Sequence, residues 1–350
     1  MCNDLQERLE RSGDAVSTIQ DVAKLAGVST TLVSRTINHQ YGVSEKSRQR
    51  ILAAMEQLNY QPNALARSLV LKSTGTIGIV MDNLCESYFF DLINGLEEGA
   101  DKAGVDIVFS SGRSSVSVKE RYVKYFMQGR TDGIVFYGSF LSDEELIQSL
   151  SSSAFPFVVV ENTFPALDIN NVVLDNAFGS SMAVDHLIQC GCRRIFHVGG
   201  DMNQRVSIDR RNGYIQAMQR HGVVVNDRMI IQADFDVKNS YQTMKAYLAS
   251  VNAEDVPDAF YCGSDNTAFG VVMALEEAGF SVPDRVKIVG FDGETPPYGY
   301  HYKALTTLTQ PLHQMGEAAV EILCKAIEQP DAPKQRVIFY PELLVQETTK

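Results

Sequence analysis

At 350 residues the chain is long enough for two or three domains, and its 45% hydrophobic content excludes wholesale disorder. Taken whole, its net charge of −12, from 31 Lys and Arg against 43 Asp and Glu, argues against a nucleic-acid binder and against an anionic membrane as partner. The charge is uneven, however. Residues 1–16 carry −2, and residues 17–72 carry +4 (Lys24, Arg35, Lys46, Arg48, Arg50, Arg67 and Lys72 against Asp21, Glu45 and Glu56), which leaves −14 for the remainder. The pattern is a small basic head on a large acidic body.

Residues 1–16 lack the apolar core of a signal peptide, and no 18-residue apolar run occurs anywhere in the chain. Neither export nor a membrane span is expected. The six cysteines (Cys2, Cys85, Cys190, Cys192, Cys262 and Cys324) read as reduced thiols of a cytoplasmic protein. Cys190-Gly-Cys192 followed by His197 is one short pair without a second, too little for a metal site. No metal or cofactor is expected.

Thr18-Ile-Gln-Asp21 has capping-box form and predicts a first helix over Ile19–Ala26. Gly27 supplies a turn, Ser29 an N-cap, and a second helix runs over Thr30–Asn38. Ala23, Gly27 and Val33 have the spacing of a helix-turn-helix, with Thr30, Thr31, Ser34 and Arg35 on the open face. An ordinary helical hairpin is the plainer alternative. A third helix over Glu45–Asn59 follows Ser44, with Ile51, Leu52, Met55 and Leu58 as its inner stripe, and Pro62 ends it. The segment 63–70 is helix-forming by composition but too short to be stable alone. It reads either as a linker or as a hinge that folds against DNA, with Leu69 as a minor-groove wedge.

The body alternates strands and helices. Apolar runs begin near Thr76, Val105, Gly133 and Phe155, and again near Arg194, Asp258 and Val286, with Met229–Ile231 between. They are β-branched on consecutive positions, as strands buried on both faces require. Helices are predicted over Phe89–Ala103, Val118–Gln128, Gly179–Gln189, Asn212–His221, Ser240–Ser250 and Ala268–Ala278. The fold class is therefore an all-α head plus an α/β body of two doubly wound parallel-sheet lobes, with a ligand cleft between the carboxyl ends of their strands.

The runs TIQDVAKLAGVS, TTLVSRTIN, VSEKSRQRILAAMEQLNYQPNALARSL, DNAFGSSMAVDHLI, RRIFHVGG, SDNTAFG, VPDRVKIVGFD and LTTLTQP occur in this order. With them the chain resembles, over about residues 17–345, the lactose/galactose repressor (LacI/GalR) family of bacterial transcription regulators. The resemblance implies a DNA-binding head at 17–62, a hinge at 63–72 and a body at 73–350 of periplasmic-binding-protein type. Within that body the first lobe would span about 75–175 and 304–331, the second about 176–303 and 332–345. It implies a homodimer on pseudo-palindromic double-stranded operator DNA and a small-molecule effector, a sugar in preference to a purine. No membrane is involved, and residues 1–16 have no counterpart.

Thr30 and Thr31 match the base-reading start of the recognition helix, and Ser34, Arg35 and Asn38 its further contacts. Thr18, Tyr60, Asn63, Ala66, Arg67 and Leu69 match DNA-contacting positions of the head and hinge. Leu32 and Val70 depart from the family's usual threonine and basic residue. Effector positions match Tyr88, Phe89, Ser139, Glu161 and Asn162 in the first lobe. In the second they match Arg210, Phe235, Ser264, Asp265 and Asp292, with Arg211 an equally basic neighbour of Arg210 and Asp265 able to orient the cleft instead of touching ligand. An arginine fork, carboxylates and aromatic faces suit a sugar. Catalysis is not expected, because no dinucleotide fingerprint, phosphate-binding loop or nucleophile elbow occurs.

Overall fold

The computed structural model describes residues 17–38, 40–61, 73–138, 140–294 and 303–350. The hinge positions and Ser139 lie outside them. The chain divides into two compact units, Met1–Thr74 and Gly75–Lys350.

The head contains α1 (Ile19–Ala26), α2 (Thr30–Ile37) and α3 (Glu45–Gln57). The capping box forms as its sequence requires: Thr18 Oγ1 accepts from the Asp21 backbone N–H, and the Asp21 carboxylate accepts from the Thr18 N–H at 2.9 Å. Gly27 ends α1 at φ +63°, and a Cβ there would lie 2.7 Å from the Arg50 guanidinium, so both conformation and space call for glycine. Val22, Ala23, Ala26, Val33, Ile51 and Ala54 form the small core. Leu52 departs from expectation. The inner face of α3 runs through Ile51, Ala54, Met55 and Leu58, at helical spacing, and this turns Leu52 outward, where it is exposed.

The body has a six-stranded and a four-stranded sheet, each parallel throughout. The first comprises β1 (Thr76–Met81), β2 (Asp106–Ser111), β3 (Gly133–Gly138), β4 (Phe157–Glu161), β5 (Asn170–Leu174) and β11 (Arg336–Phe339) in the order β11-β5-β4-β3-β1-β2. The second comprises β6 (Ile195–Gly199), β7 (Ile230–Gln232), β8 (Ala259–Cys262) and β9 (Lys287–Val289) in the order β7-β6-β8-β9. A short antiparallel pair, β10 (Thr307–Thr309) with β12 (Glu342–Leu344), completes the body.

The helices, in chain order, are α4 (Phe90–Ala103), α5 (Val116–Met127), α6 (Glu144–Ser151), α7 (Asn176–Gln189), α8 (Arg205–Arg220), α9 (Val237–Ser250), α10 (Asp265–Glu277) and α11 (Leu312–Glu328). Both sheets reverse their winding once, between β1 and β3 and between β6 and β8, and so form crevices at the carboxyl ends of those strands.

Three expectations are corrected. The lobe boundaries differ: Arg336–Phe339, assigned to the second lobe, pairs in register with Asn171–Leu174 in the first sheet. Residues 305–309 join the second lobe's side, with Thr306 bridged to Val289, although they were assigned to the first. Strand β2 is an edge strand with alternating exposure rather than one buried on both faces, since only β1 pairs with it. The helices α8 and α7 begin seven and three residues before the predicted starts: the first two turns of α8, Arg205–Arg211, are mostly polar, and α7 starts directly at its Asp175 cap.

Candidate functional site

In the head, Ser29 caps α2 by accepting from the Leu32 N–H at 3.2 Å. Thr30, Thr31 and Arg35 are exposed on this helix, while Ser34 and Asn38 are half-buried, their side chains 3.4 Å apart. Thr18 is exposed at the start of α1, although its hydroxyl also donates to Asp21 at 2.7 Å. Tyr60 packs against the head's core and is only partly exposed. Asn63, Ala66, Arg67 and Leu69 lie outside the described residues. Arg50, counted among the basic residues of the head, donates to the Ala26 carbonyl and closes the carboxyl end of α1. Tyr41 stands fully exposed in the loop before α3, and no periodicity in the sequence singled it out.

In the body, a cavity of about 310 Å³ opens at the carboxyl ends of both sheets. This is at the small end of the roughly 300–1,000 Å³ of ligand pockets and suits a single-ring molecule. Six predicted residues line it: Tyr88, Phe89, Arg210, Phe235, Ser264 and Asp292. Of Arg210 and its neighbour Arg211, it is Arg210 that lines the cavity, and its guanidinium is the hub of the wall. Its Nε donates to Asn176 Oδ1 at 2.8 Å, and its Nη1 donates to the Gly263 carbonyl at 2.6 Å and to Asp292 Oδ1 at 3.0 Å. It also lies over the Phe291 ring, 3.7 Å from the centroid. Asp292 accepts in addition from Gln310 Nε2 at 2.7 Å. Burial pushes its carboxyl up to about 7, with Arg210 opposing and Glu294 and Glu161 adding to the rise.

Three predicted residues stand behind the wall instead of lining it. Glu161 accepts from Tyr137 at 3.1 Å, from Tyr88 at 3.5 Å and from Asn176 at 3.3 Å, and so orients side chains that reach the cavity. Asn162 donates to the Phe140 carbonyl at 3.3 Å. Asp265 accepts from the Thr307 hydroxyl at 2.6 Å and from the Glu294 N–H at 2.7 Å, which holds the loop that carries Asp292 and Glu294. Burial raises the Asp265 carboxyl well above the usual range. Ser139 lies outside the described residues. Glu161 and Asp292 have φ of +79° and +119°, sparsely populated values for residues with a side chain, and both sit at strand ends facing the site.

Several lining residues were missed. Asp82, Asn83 and Glu86 follow β1, Ser114 follows β2, and Tyr137 and Phe140 lie at the end of β3. Gln204, Val206, Asp236, Asn266 and Glu294 complete the second lobe's side. Their signal is position: each lies at or just beyond a strand's carboxyl end. Lys119 gave no such signal, because a lysine within a helix reads as solvated. It is fully buried, pairs with Asp82 and, at 2.7 Å, with Asp143, and lies over the rings of Phe136 and Phe140. The lobes also touch directly, with the Leu141 N–H donating to the Asn203 carbonyl at 2.8 Å and Ser87 Oγ to Glu294 at 2.9 Å.

Residues 18–63 match the family model described as bacterial regulatory proteins, lacI family, and residues 184–349 match that of a periplasmic binding protein-like domain. Among curated relatives, the HTH-type transcriptional repressor PurR of Photobacterium profundum is 31% identical over 337 residues, covering 96% of this chain and 99% of that protein. The chain belongs to the lacI family of bacterial regulatory proteins.

As a lacI-family member it is a DNA-binding transcription regulator under effector control, not an enzyme. The PurR repressor of Klebsiella pneumoniae subsp. pneumoniae is 32% identical over 330 residues, covering 94% of this chain and 96% of that one. Among solved structures, the lac repressor dimer bound to operator and the anti-inducer ONPF matches at a TM-score of 0.85 and 25% identity, covering 96% of this chain and 99% of that one. A complex of the transcriptional regulator CelR with cellobiose matches at 0.71 and 26%, covering 95% and 99%. Among the described residues of this lacI-family regulator, no helix is long and apolar enough to cross a membrane.

Proposed function

We propose that this regulator is a cytoplasmic repressor that binds a pseudo-palindromic double-stranded operator as a homodimer. Thr30, Thr31, Ser34, Arg35 and Asn38 read or grip the major groove, Thr18, Tyr60 and Asn63 contact the backbone, and the 63–72 segment with Ala66, Arg67 and Leu69 enters the minor groove. A sugar-sized effector binds the body's cavity. The observation that carries the effector reading is the Arg210 hub. One buried guanidinium is held by Asn176, Gly263 and Asp292, and its Nη2 makes no bond among the described residues. It is thus placed to donate to a ligand hydroxyl beside the ring of Phe235, 5.8 Å away.

Because both lobes line the cavity, a ligand that favours one lobe arrangement shifts that equilibrium. The coupling to operator affinity is reciprocal. A purine corepressor is the second reading, favoured by the curated relatives named PurR and by the flat Phe235 ring.

The test is a thermal-shift screen of sugars and purine bases on the full chain, followed by operator binding with each hit. A hit should change operator affinity, and Arg210→Ala, assayed at a temperature where circular dichroism shows its body folded, should abolish that change while leaving ligand-free DNA binding intact. An undiminished response in Arg210→Ala would refute the cavity assignment. Leu69→Ala with unchanged affinity and unchanged DNA bending would refute the wedge.

A further inference from the structure

The cavity is unequally charged. Among the described residues five carboxylates line it, from Asp82, Glu86, Asp236, Asp292 and Glu294, against one lining cation, Arg210. Two of the five are compensated: Asp292 by Arg210, and Asp82 by Lys119, which it shares with Asp143. The other three have neutral donors only. Glu86 accepts from the Asn83 amide at 2.7 Å, and Asp236 from the Asn239 N–H at 2.8 Å. Glu294 accepts from Ser87 at 2.9 Å and from Asn266 at 2.7 Å. Among the described residues no Lys or Arg forms an ion pair with any of these three. Asp236 caps α9, whose amino-terminal dipole steadies its charge. Glu86 is exposed at the start of the 3-10 turn Ser87–Phe89 and makes no side-chain cap bond there. Glu294 accepts also from the Tyr88 backbone N–H of that turn, and burial together with the Glu86 charge raises its carboxyl.

We propose that the effector is an amino sugar, whose protonated amine is received by Glu86 and Glu294. The inference rests on the reading of this cavity as the effector site and narrows its ligand class. A neutral sugar leaves the excess negative charge in place, and a phosphorylated one adds to it. An ammonium replaces neutral donors with a charge-assisted bond. The rings of Tyr88, Phe140 and Phe235, which share the cavity with these carboxylates, favour a cation through their negative faces and cover the apolar face of a sugar ring. Arg210 remains to bind hydroxyls at the opposite charge pole. Each element of an amino sugar then has a counterpart of matching chemistry: amine to carboxylates, hydroxyls to Arg210 and Ser264, ring face to aromatics.

The test is titration calorimetry on the full chain with glucosamine, galactosamine and mannosamine. Each is paired with its parent sugar, its N-acetyl derivative and its 6-phosphate. At least one amine should bind about tenfold or more tightly than its three counterparts, with a preference that shrinks at high salt. The Glu86→Gln/Glu294→Gln variant, shown by operator binding to be folded, should lose the preference, the amine then binding no more tightly than the parent sugar measured on the same variant.

The amino-sugar proposal is overturned if no amine binds, if a neutral or phosphorylated counterpart binds equally well, or if the preference survives in the double variant. Neutral sugars that bind and lose binding in Arg210→Ala would leave the effector cavity standing without it. Any sugar that binds Arg210→Ala unchanged would remove the cavity assignment itself.

Discussion

Arg210 and Asp292 form a buried ion pair, Nη1 to Oδ1 at 3.0 Å, between helix α8 and the loop after β9. Each half justifies the other's burial. The carboxyl already sits near neutrality at about 7 because burial outweighs the guanidinium beside it, so the balance depends on Arg210 staying. Replacing Arg210 with Leu should destabilise the body by about 3–5 kcal/mol, the usual cost of leaving one buried charge alone. Arg210→Lys should recover only part of this, since a point charge cannot serve Asn176, Gly263 and Asp292 together. Urea unfolding measures both. A loss below about 1 kcal/mol for Arg210→Leu would show that Asp292 simply takes up a proton and needs no partner.

The first lobe depends on a close crossing of α4 and α11. A Cβ on Gly95 would fall 2.0 Å from the His313 carbonyl oxygen, and one on Gly316 would fall 2.6 Å from that of Leu92. The obstacle is backbone in both cases, so neither helix yields by a rotamer change. Gly95→Ala is therefore expected to lower stability, by about 1–3 kcal/mol or more, although alanine is the better helix former. Thermal unfolding that is unchanged or raised would mean that the helices separate freely.

What the sequence disclosed follows from how each feature is encoded. Thr18, Asp21, Gly27 and Ser29 act within a few residues of themselves, so their caps and turn were legible and formed as expected. The six predicted residues that line the cavity came from the family resemblance; five lie in the stretches that follow β1, β7, β8 and β9, and Arg210 lies on α8. Glu161 and Asp265 carry the right chemistry but reach the cavity only through Tyr88, Tyr137 and the Glu294 backbone, partners fixed by tertiary contact. Lys119 was illegible for the same reason, since Asp82 and Asp143 meet it from separate strand-end loops. The Arg336–Phe339 strand was assigned to the wrong lobe because a third crossing between the lobes leaves no mark in local pattern.

His197 gives a pH dependence of known sign. It lies in the second lobe's core, stacked between Tyr214 and Tyr261 with ring centroids 5.3 and 4.9 Å away, and burial lowers its pKa to about 4 from an ordinary 6.5. The folded state therefore keeps it neutral while the unfolded chain protonates below 6.5. Its contribution is fully present above that pH and is lost as pH falls toward 4. The buried carboxylates raised by burial, Asp292 among them, act in the opposite sense, so the histidine must be isolated by difference. The stability gap between wild type and His197→Gln should narrow between pH 7 and pH 5. A gap independent of pH would mean that the ring titrates normally in the fold.

Two of the head's arginines, Arg35 and Arg50, separate reading from folding. Arg35 is exposed on α2, whereas Arg50 is spent on the Ala26 carbonyl. Arg35→Ala should leave thermal stability unchanged and weaken operator binding. If each protomer of a homodimer loses one phosphate contact, the slope of log affinity against log salt should fall by about 2. Arg50→Ala should instead destabilise the head, by about 1.5–3 kcal/mol for a charged hydrogen bond to a buried carbonyl. It should weaken DNA binding only through unfolding. A protecting osmolyte, which favours the compact state, should then restore binding to Arg50→Ala and do nothing for Arg35→Ala. Rescue of both variants, or of neither, would undo this division between the two residues.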